Sequence, residues 1–154
     1  MNKAAPARPA KQRKQDTLDR LERDVDAWVA TAAEDGQPYL MPLSFLWRDG
    51  VLYLSTRATN PLARNLLATG TAHLAIGGTR DVVRVEGVGE ALGDDEISQE
   101  FGDAFAAKTG FDPRAIDQRY LYFRVRPVLI QAWREVNELA DRDVMREGRW
   151  LVED

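Results

Sequence analysis

The sequence predicts a mainly β protein of the α+β type, a barrel of about six antiparallel strands with helices packed at its ends. Three observations lead there. Apolar runs of strand length are joined by short turn signals such as Asp49-Gly50 and Gly77-Gly78, which favour antiparallel neighbours. Single helical stretches are interleaved with those runs rather than alternating regularly with them, which argues against a doubly wound sheet. No Gly-x-Gly-x-x-Gly follows the first strand, and Gly87-Val88-Gly89 lies inside a strand, where it serves to relieve crowding at a bend.

Taken in order, residues 1–15 read as a disordered basic tail rich in Ala, Pro and Lys, and 16–154 as one domain. Leu18, Leu21, Val25 and Trp28 recur at helical spacing, which places an amphipathic helix over about 16–25. A short strand around Val29 and Thr31 follows. Glu34-Asp35-Gly36 marks a turn, and an apolar strand runs from Tyr39 to Trp47. Asp49-Gly50 turns it back into Val51–Ser55. Asn60 is placed as an N-cap with Pro61 in the first turn of a short helix, whose Leu62, Leu66 and Leu67 share one side and which Gly70 ends. Thr71–Ile76 and Val82–Leu92 are the next strands. Asp94 and Asp95 are candidate caps for a helix carrying Ile97, Phe101 and Phe105, broken at Thr109-Gly110, and a shorter helix starts near Asp112-Pro113. Tyr120–Trp133 is the long final strand, in which Pro127 requires a bulge or an edge position because it cannot donate to a ladder. Glu147-Gly148 suits a small terminal hairpin.

Composition narrows the function classes. With no Cys and a single His in 154 residues, thiol nucleophiles, disulfides and multi-histidine metal sites lack ligands, so no metal site is expected. The five basic side chains of the first 14 residues leave 16 basic and 25 acidic residues in the body. An acidic body disfavours duplex binding, so nucleic acid could be held only by the tail. No run approaches the roughly 18 apolar residues that span a bilayer, and no apolar leader follows the N-terminal charges, so a cytoplasmic protein without membrane contact is expected. His73 reads as a structural histidine, and Asp94-Asp95-Glu96 as acids complementing a helix dipole.

The pattern richest in chemistry is a strand ending in Ser55-Thr56-Arg57 followed by a helix bearing Arg64-Asn65-Leu66. Hydroxyls and guanidinium groups gathered at a strand end and a helix start suit a phosphate, because Arg offers two parallel donors; spacing alone weighs equally for ordinary surface arginines.

The ordered pieces Trp28-Val29-Ala30-Thr31, Asp35-Gly36-Gln37-Pro38-Tyr39, Pro42-Leu43-Ser44-Phe45-Leu46-Trp47, Gly50-Val51-Leu52-Tyr53-Leu54-Ser55-Thr56-Arg57 and Arg64-Asn65-Leu66, with Val83–Gly87 beyond them, resemble the pyridoxamine 5′-phosphate oxidase-like, FMN-binding split-barrel superfamily. The likeness covers about residues 20–133 and is nearer to its small flavin or deazaflavin oxidoreductases than to true pyridoxamine phosphate oxidases, whose C-terminal Arg-rich motif is missing. The resemblance implies a homodimeric split barrel with FMN or the deazaflavin coenzyme F420 at the subunit interface, acting as an oxidoreductase on a small-molecule substrate. The alternative it leaves open is a non-catalytic split barrel carrying a cofactor or a haem-type ligand. By position, Pro42, Leu43, Ser44 and Phe45 would line the ring, and Ser55, Thr56 and Arg57 would meet the phosphate. Arg64 would take the place of the usual Lys, and Trp133 would close the pocket from the partner. No side chain is singled out as catalytic. Arg80 and Arg84 are expected to flank the cavity and, with Arg57 and Arg64, to give slight preference to the acidic tail of the deazaflavin.

Overall fold

The computed structural model describes residues 5–153. Helix α1 spans Ala10–Arg23 and is followed by strands β1 (Asp26–Ala32), β2 (Pro38–Ser44), β3 (Leu46–Arg48) and β4 (Val51–Arg57). Helix α2 (Pro61–Thr69) leads to β5 (Thr71–Ile76) and β6 (Val82–Ala91), then α3 (Gln99–Thr109), β7 (Tyr120–Trp133) and a terminal hairpin of β8 (Asp143–Arg146) and β9 (Arg149–Trp150). The order in the sheet is β2-β1-β5-β6-β7-β4-β3, every pair antiparallel, with β8 and β9 attached beside β7. The sheet curls until β2 and β4 approach without pairing, which leaves the barrel split there. The expected split-barrel architecture is present. Among the described residues no helix is long and apolar enough to cross a membrane.

The core follows the two-residue period of the strands. Val29, Leu52, Leu54, Leu74, Val85, Phe123, Val125 and Ile130 are buried inside the curl, with Leu21 of α1 and Leu62 of α2 closing it. A second apolar cluster joins Phe101 and Phe105 of α3 to Tyr122, with ring centroids 5.3 Å apart in both pairs. In α2, Asn60 caps by accepting from Leu62 N at 2.8 Å, and Gly70 closes the helix in the left-handed region. Leu62 and Leu66 are buried as expected, but Leu67 is exposed; Asn65 takes the inner position and donates to Thr31 Oγ1 at 3.1 Å.

Gly87 explains how a proline sits in the central strand β7. The register of β6 against β7 slips between Glu86 and Gly87, so Glu86 faces Leu129 while Gly87 faces Pro127. This is a β-bulge. A Cβ at Gly87 would stand 2.7 Å from the Arg126 carbonyl oxygen, so glycine alone fits the approach.

Three boundaries depart from the expectations. The first helix begins at Ala10, inside the span assigned to a disordered tail, and ends before Val25 and Trp28, which belong to the following loop and to β1. The cause is tertiary: Arg8 bonds Glu138, Arg13 Nη1 donates to Asp141 O, and Lys14 Nζ donates to Val152 O at 3.0 Å. The strand expected from Tyr39 to Trp47 breaks at Phe45, whose N–H donates to Val25 O at 2.8 Å while the chain passes from pairing β1 to pairing β4. The cap of α3 is Ser98, accepting from Phe101 N at 3.1 Å; Asp94–Glu96 form only a separate 3₁₀ turn ahead of it.

Candidate functional site

Where β2 and β4 approach, the fold leaves a cleft of about 850 Å³. Six of the residues expected at a cofactor site line it: Pro42, Leu43 and Ser44 from β2, and Ser55, Thr56 and Arg57 from the end of β4. They come together because β2 and β4 lie at the open seam of the curl, although neither strand bonds the other.

The hydroxyl end of the cleft is partly committed. Ser55 Oγ donates to Leu121 O at 2.9 Å, so it meets a ligand as an acceptor or not at all. Thr56 differs. It is 4% exposed, lines the cleft, and its hydroxyl has no hydrogen-bond partner among the described residues. Its oxygen is not one of the fully buried atoms left without a partner, so water reaches it through the cleft, and a ligand acceptor could take that hydrogen bond in place of water. Arg57 is exposed beside it, its Nε 3.4 Å from Tyr120 Oη, which leaves its Nη donors uncommitted. Asn60 also lines the cleft, but its side-chain oxygen is occupied capping α2.

Much of the remaining lining is apolar. Trp28, 53% exposed, and Met41 belong to it, with Phe105, Phe111 and Tyr120 on the α3 and β7 side. Asp24 and Asp26 add negative charge at the rim; Asp26 accepts from Ser44 Oγ at 3.0 Å and Asp24 pairs with Arg20 at 2.9 Å. Lys108 ties α3 to this rim by donating to Asp24 O at 2.8 Å and Phe45 O at 3.3 Å. Burial pushes its ammonium pKa down, with Glu22 and Asp24 opposing.

Two expected site residues, Phe45 and Arg64, lie elsewhere in this chain. Phe45 is fully buried in the core, because the chain kinks at this residue and turns its ring inward beneath the Lys108 ammonium, 4.6 Å from the ring centre. Arg64 is exposed on α2 and is not among the cleft residues, since the core claims Leu62, Ala63, Asn65 and Leu66 on either side of it. Trp133, expected at the partner's cleft rather than its own, stands opposite Val82 at the far end of β7, with the Arg142 guanidinium 6.0 Å from its ring. Arg84 is bound to Glu86 at 2.7 Å and to Gln131, and Arg80 sits in the exposed β5–β6 turn; neither lines the cleft, although Ala75, opposite Arg84, and Gly77, in the same turn as Arg80, do. His73 faces Glu86 across the β5–β6 pair at 3.4 Å, a structural placement on the outer face.

Sequence reasoning missed Trp28, Met41 and Tyr120. Alternation with the buried Val29 could have flagged Trp28 as outward-facing. The placement of Tyr120 depends on its register opposite Arg57, which no local signal carries.

The profile described as pyridoxamine 5′-phosphate oxidase matches residues 15–134. The chain belongs to this family. A search of curated proteins gives no significant match. Among solved structures, a putative pyridoxamine 5′-phosphate oxidase from Listeria innocua is similar with a TM-score of 0.65 at 15% identity, covering 79% of this chain and 98% of its own. A structure titled F420 reductase gives 0.60 at 21% identity, covering 73% and 93%. A heme binding protein from Mycobacterium smegmatis gives 0.68 at 17% identity, covering 87% of this chain and 57% of its own. At these identities the family's fold is shared across differently titled proteins, and function has to be argued from the cleft.

Proposed function

We propose that the cleft binds a phosphorylated flavin-type cofactor, FMN or F420, and that the protein is an oxidoreductase acting on a small organic substrate. The observation that carries this reading is the Thr56 hydroxyl, without a partner among the described residues and open to the cleft, beside the Arg57 guanidinium in a largely apolar cleft. Thr56 and Arg57 would hold the phosphate by charge-assisted hydrogen bonds, and Pro42, Leu43 and Trp28 would exclude water from the ring. A bound flavin or deazaflavin supplies hydride transfer, so this chain needs to provide binding, orientation and a dry wall rather than a dedicated acid or base. Of the four arginines that favoured the deazaflavin, only Arg57 lines the cleft, and the preference for its acidic tail goes with the other three.

Thr56→Val and Arg57→Ala are each expected to weaken FMN or F420 binding by about 1–3 kcal/mol, roughly five- to 150-fold, in fluorescence titrations, whereas Arg64→Ala leaves it unchanged. Equal affinity in wild type, Thr56→Val and Arg57→Ala would remove the phosphate assignment.

The second reading is a non-catalytic carrier of a haem-type ligand, favoured by the breadth of the apolar wall and by the heme binding protein that shares the fold. A Soret band on titration with haemin, with no flavin or deazaflavin binding, would select it.

The reading includes a homodimer. Residues paired across β2, β1, β5 and β6 put Leu40, Trp28 and Val88 on one outer face, 61%, 53% and 57% exposed, and Trp28 also lines the cleft. A second copy laid on this face would cover the apolar surface and border the cofactor. Light scattering at micromolar concentration should give a dimer, and Leu40→Glu should shift it toward monomer. A monomeric wild type contradicts this part of the proposal.

A further inference from the structure

A second depression, of about 760 Å³, opens where the start of α1 meets the chain around the terminal hairpin, and it does not share residues with the cofactor cleft. Its lining holds four guanidinium groups, those of Arg8, Arg13, Arg142 and Arg146, with the carboxylates Asp141 and Asp143. Two of the four cations are already neutralised. Arg8 pairs with Glu138 at 2.8 Å and Asp16 at 3.0 Å, and Arg146 pairs with Asp143 at 3.1 Å, which also accepts from Gln131.

Arg13 is the anomaly. It is only 5% exposed, yet among the described residues no carboxylate pairs with it. Its Nη1 donates to the backbone oxygen of Asp141, and its Nε is buried with no partner. Arg142 is exposed and has no hydrogen-bonded carboxylate: its Nη1 donates to Leu139 O at 3.0 Å, its guanidinium lies over Trp133, and Asp143, already held by Arg146 and Gln131, acts on it only from beyond ion-pair distance. A guanidinium taken out of water without an anion costs several kcal/mol, and evolution normally supplies a carboxylate where none is borrowed from a ligand. Asp141 contributes one exposed charge to the lining, so the uncommitted groups there still sum to a cationic site, in a body that is acidic overall.

We propose that this depression is a binding site for a small oxyanion, a phosphate or a carboxylate, with Arg13 as its principal partner and Arg142 as the second cation. With Nη1 spent on Asp141 O and Nε out of a ligand's reach, Arg13 offers Nη2, and this donor and those of Arg142 left free would each give a charge-assisted hydrogen bond to an oxygen that both ligand types carry. Because Arg13 belongs to α1 and Arg142 precedes β8, a bound anion would also fasten the first helix to the end of the chain.

Trp133 beneath Arg142 and Trp150 beneath Lys14 are local fluorescent reporters. Inorganic phosphate and succinate are titrated separately into the full chain, with ionic strength held constant by sodium chloride, following tryptophan emission and the thermal midpoint. The proposal expects a saturable response to at least one of them, and the probe that saturates identifies the oxyanion class. Arg13→Gln should weaken that response about tenfold, Arg142→Gln should weaken it severalfold, and Arg57→Ala in the other cleft should leave it unchanged. Arg142 is exposed, so its substitution reads the site even if Arg13→Gln does not fold. A linear, unsaturating rise that persists in Arg142→Gln would be general exclusion of salt from the surface and would overturn the proposal, as would a response abolished by Arg57→Ala.

Discussion

Glu138→Gln is expected to cost about 3–5 kcal/mol of stability, because it breaks a buried ion pair and leaves a guanidinium behind. The Glu138 side chain is 3% exposed and that of Arg8 10%. Glu138 accepts from Arg8 N, Nε and Nη2 and from Arg134 N, all between 2.8 and 3.0 Å. The web continues through Arg8 to Asp16 and through Arg134 to Asp81, which meets Arg20 at 3.2 Å. Together these contacts hold the segment before α1 against the chain that follows β7. The hydrogen bonds from Arg8, more than the burial that opposes them, hold the Glu138 carboxyl well below its usual value, at about 2.

The pH dependence follows from that depression. A carboxylate whose folded pKa lies below its unfolded one stabilises the fold fully above the unfolded value, and the contribution is lost as pH falls through the folded one. Between about pH 5 and pH 2 the wild type should therefore lose about 3 kcal/mol that Glu138→Gln, already lacking it, does not lose. Urea unfolding across that range measures the difference; parallel curves for the two proteins would show that the pair does not fasten the N-terminal segment.

Phe45→Ala is expected to lower stability by about 3–5 kcal/mol and the thermal midpoint by about 10 °C, with little change in cofactor affinity per folded molecule. The ring is fully buried, and its removal leaves a cavity below the Lys108 ammonium, which loses its aromatic face while still bonded to the Phe45 carbonyl. Phe45→Leu separates the two roles. It should recover much of the stability, and a large loss of FMN or F420 binding in this stable variant would return Phe45 to the cofactor site.

Phe45 also shows where local reading stops. Between Met41 and Leu46, Pro42 is the one residue disfavoured in a strand, but it lies within β2, and no residue type marks Phe45 as the point where pairing passes from β1 to β4. That point decides which side chains face the cleft: Pro42, Leu43 and Ser44 before the kink do, and Phe45 at the kink does not. Arg64 lies outside the cleft of its chain for a related reason. Its neighbours satisfy the helical period equally well in two rotations, and Asn65, with an amide to give to Thr31, takes the buried place that Leu67 was expected to share.

The sequence by itself determined the architecture, the hairpin at Asp49-Gly50, the cap at Asn60, the bulge at Pro127 and the gathering of Ser55, Thr56 and Arg57 at one strand end. These are local consequences of backbone conformation and side-chain period, readable over a few residues. Only the tertiary structure decided that the chain from Ala10 onward is a docked helix, that Trp28 and Tyr120 share a cleft with Arg57, and that Arg13 is buried without a carboxylate partner among the described residues. Each of these depends on partners far away in the chain, Glu138 for Arg8 and Asp141 for Arg13, whose proximity is set by how the sheet curls and where its ends return.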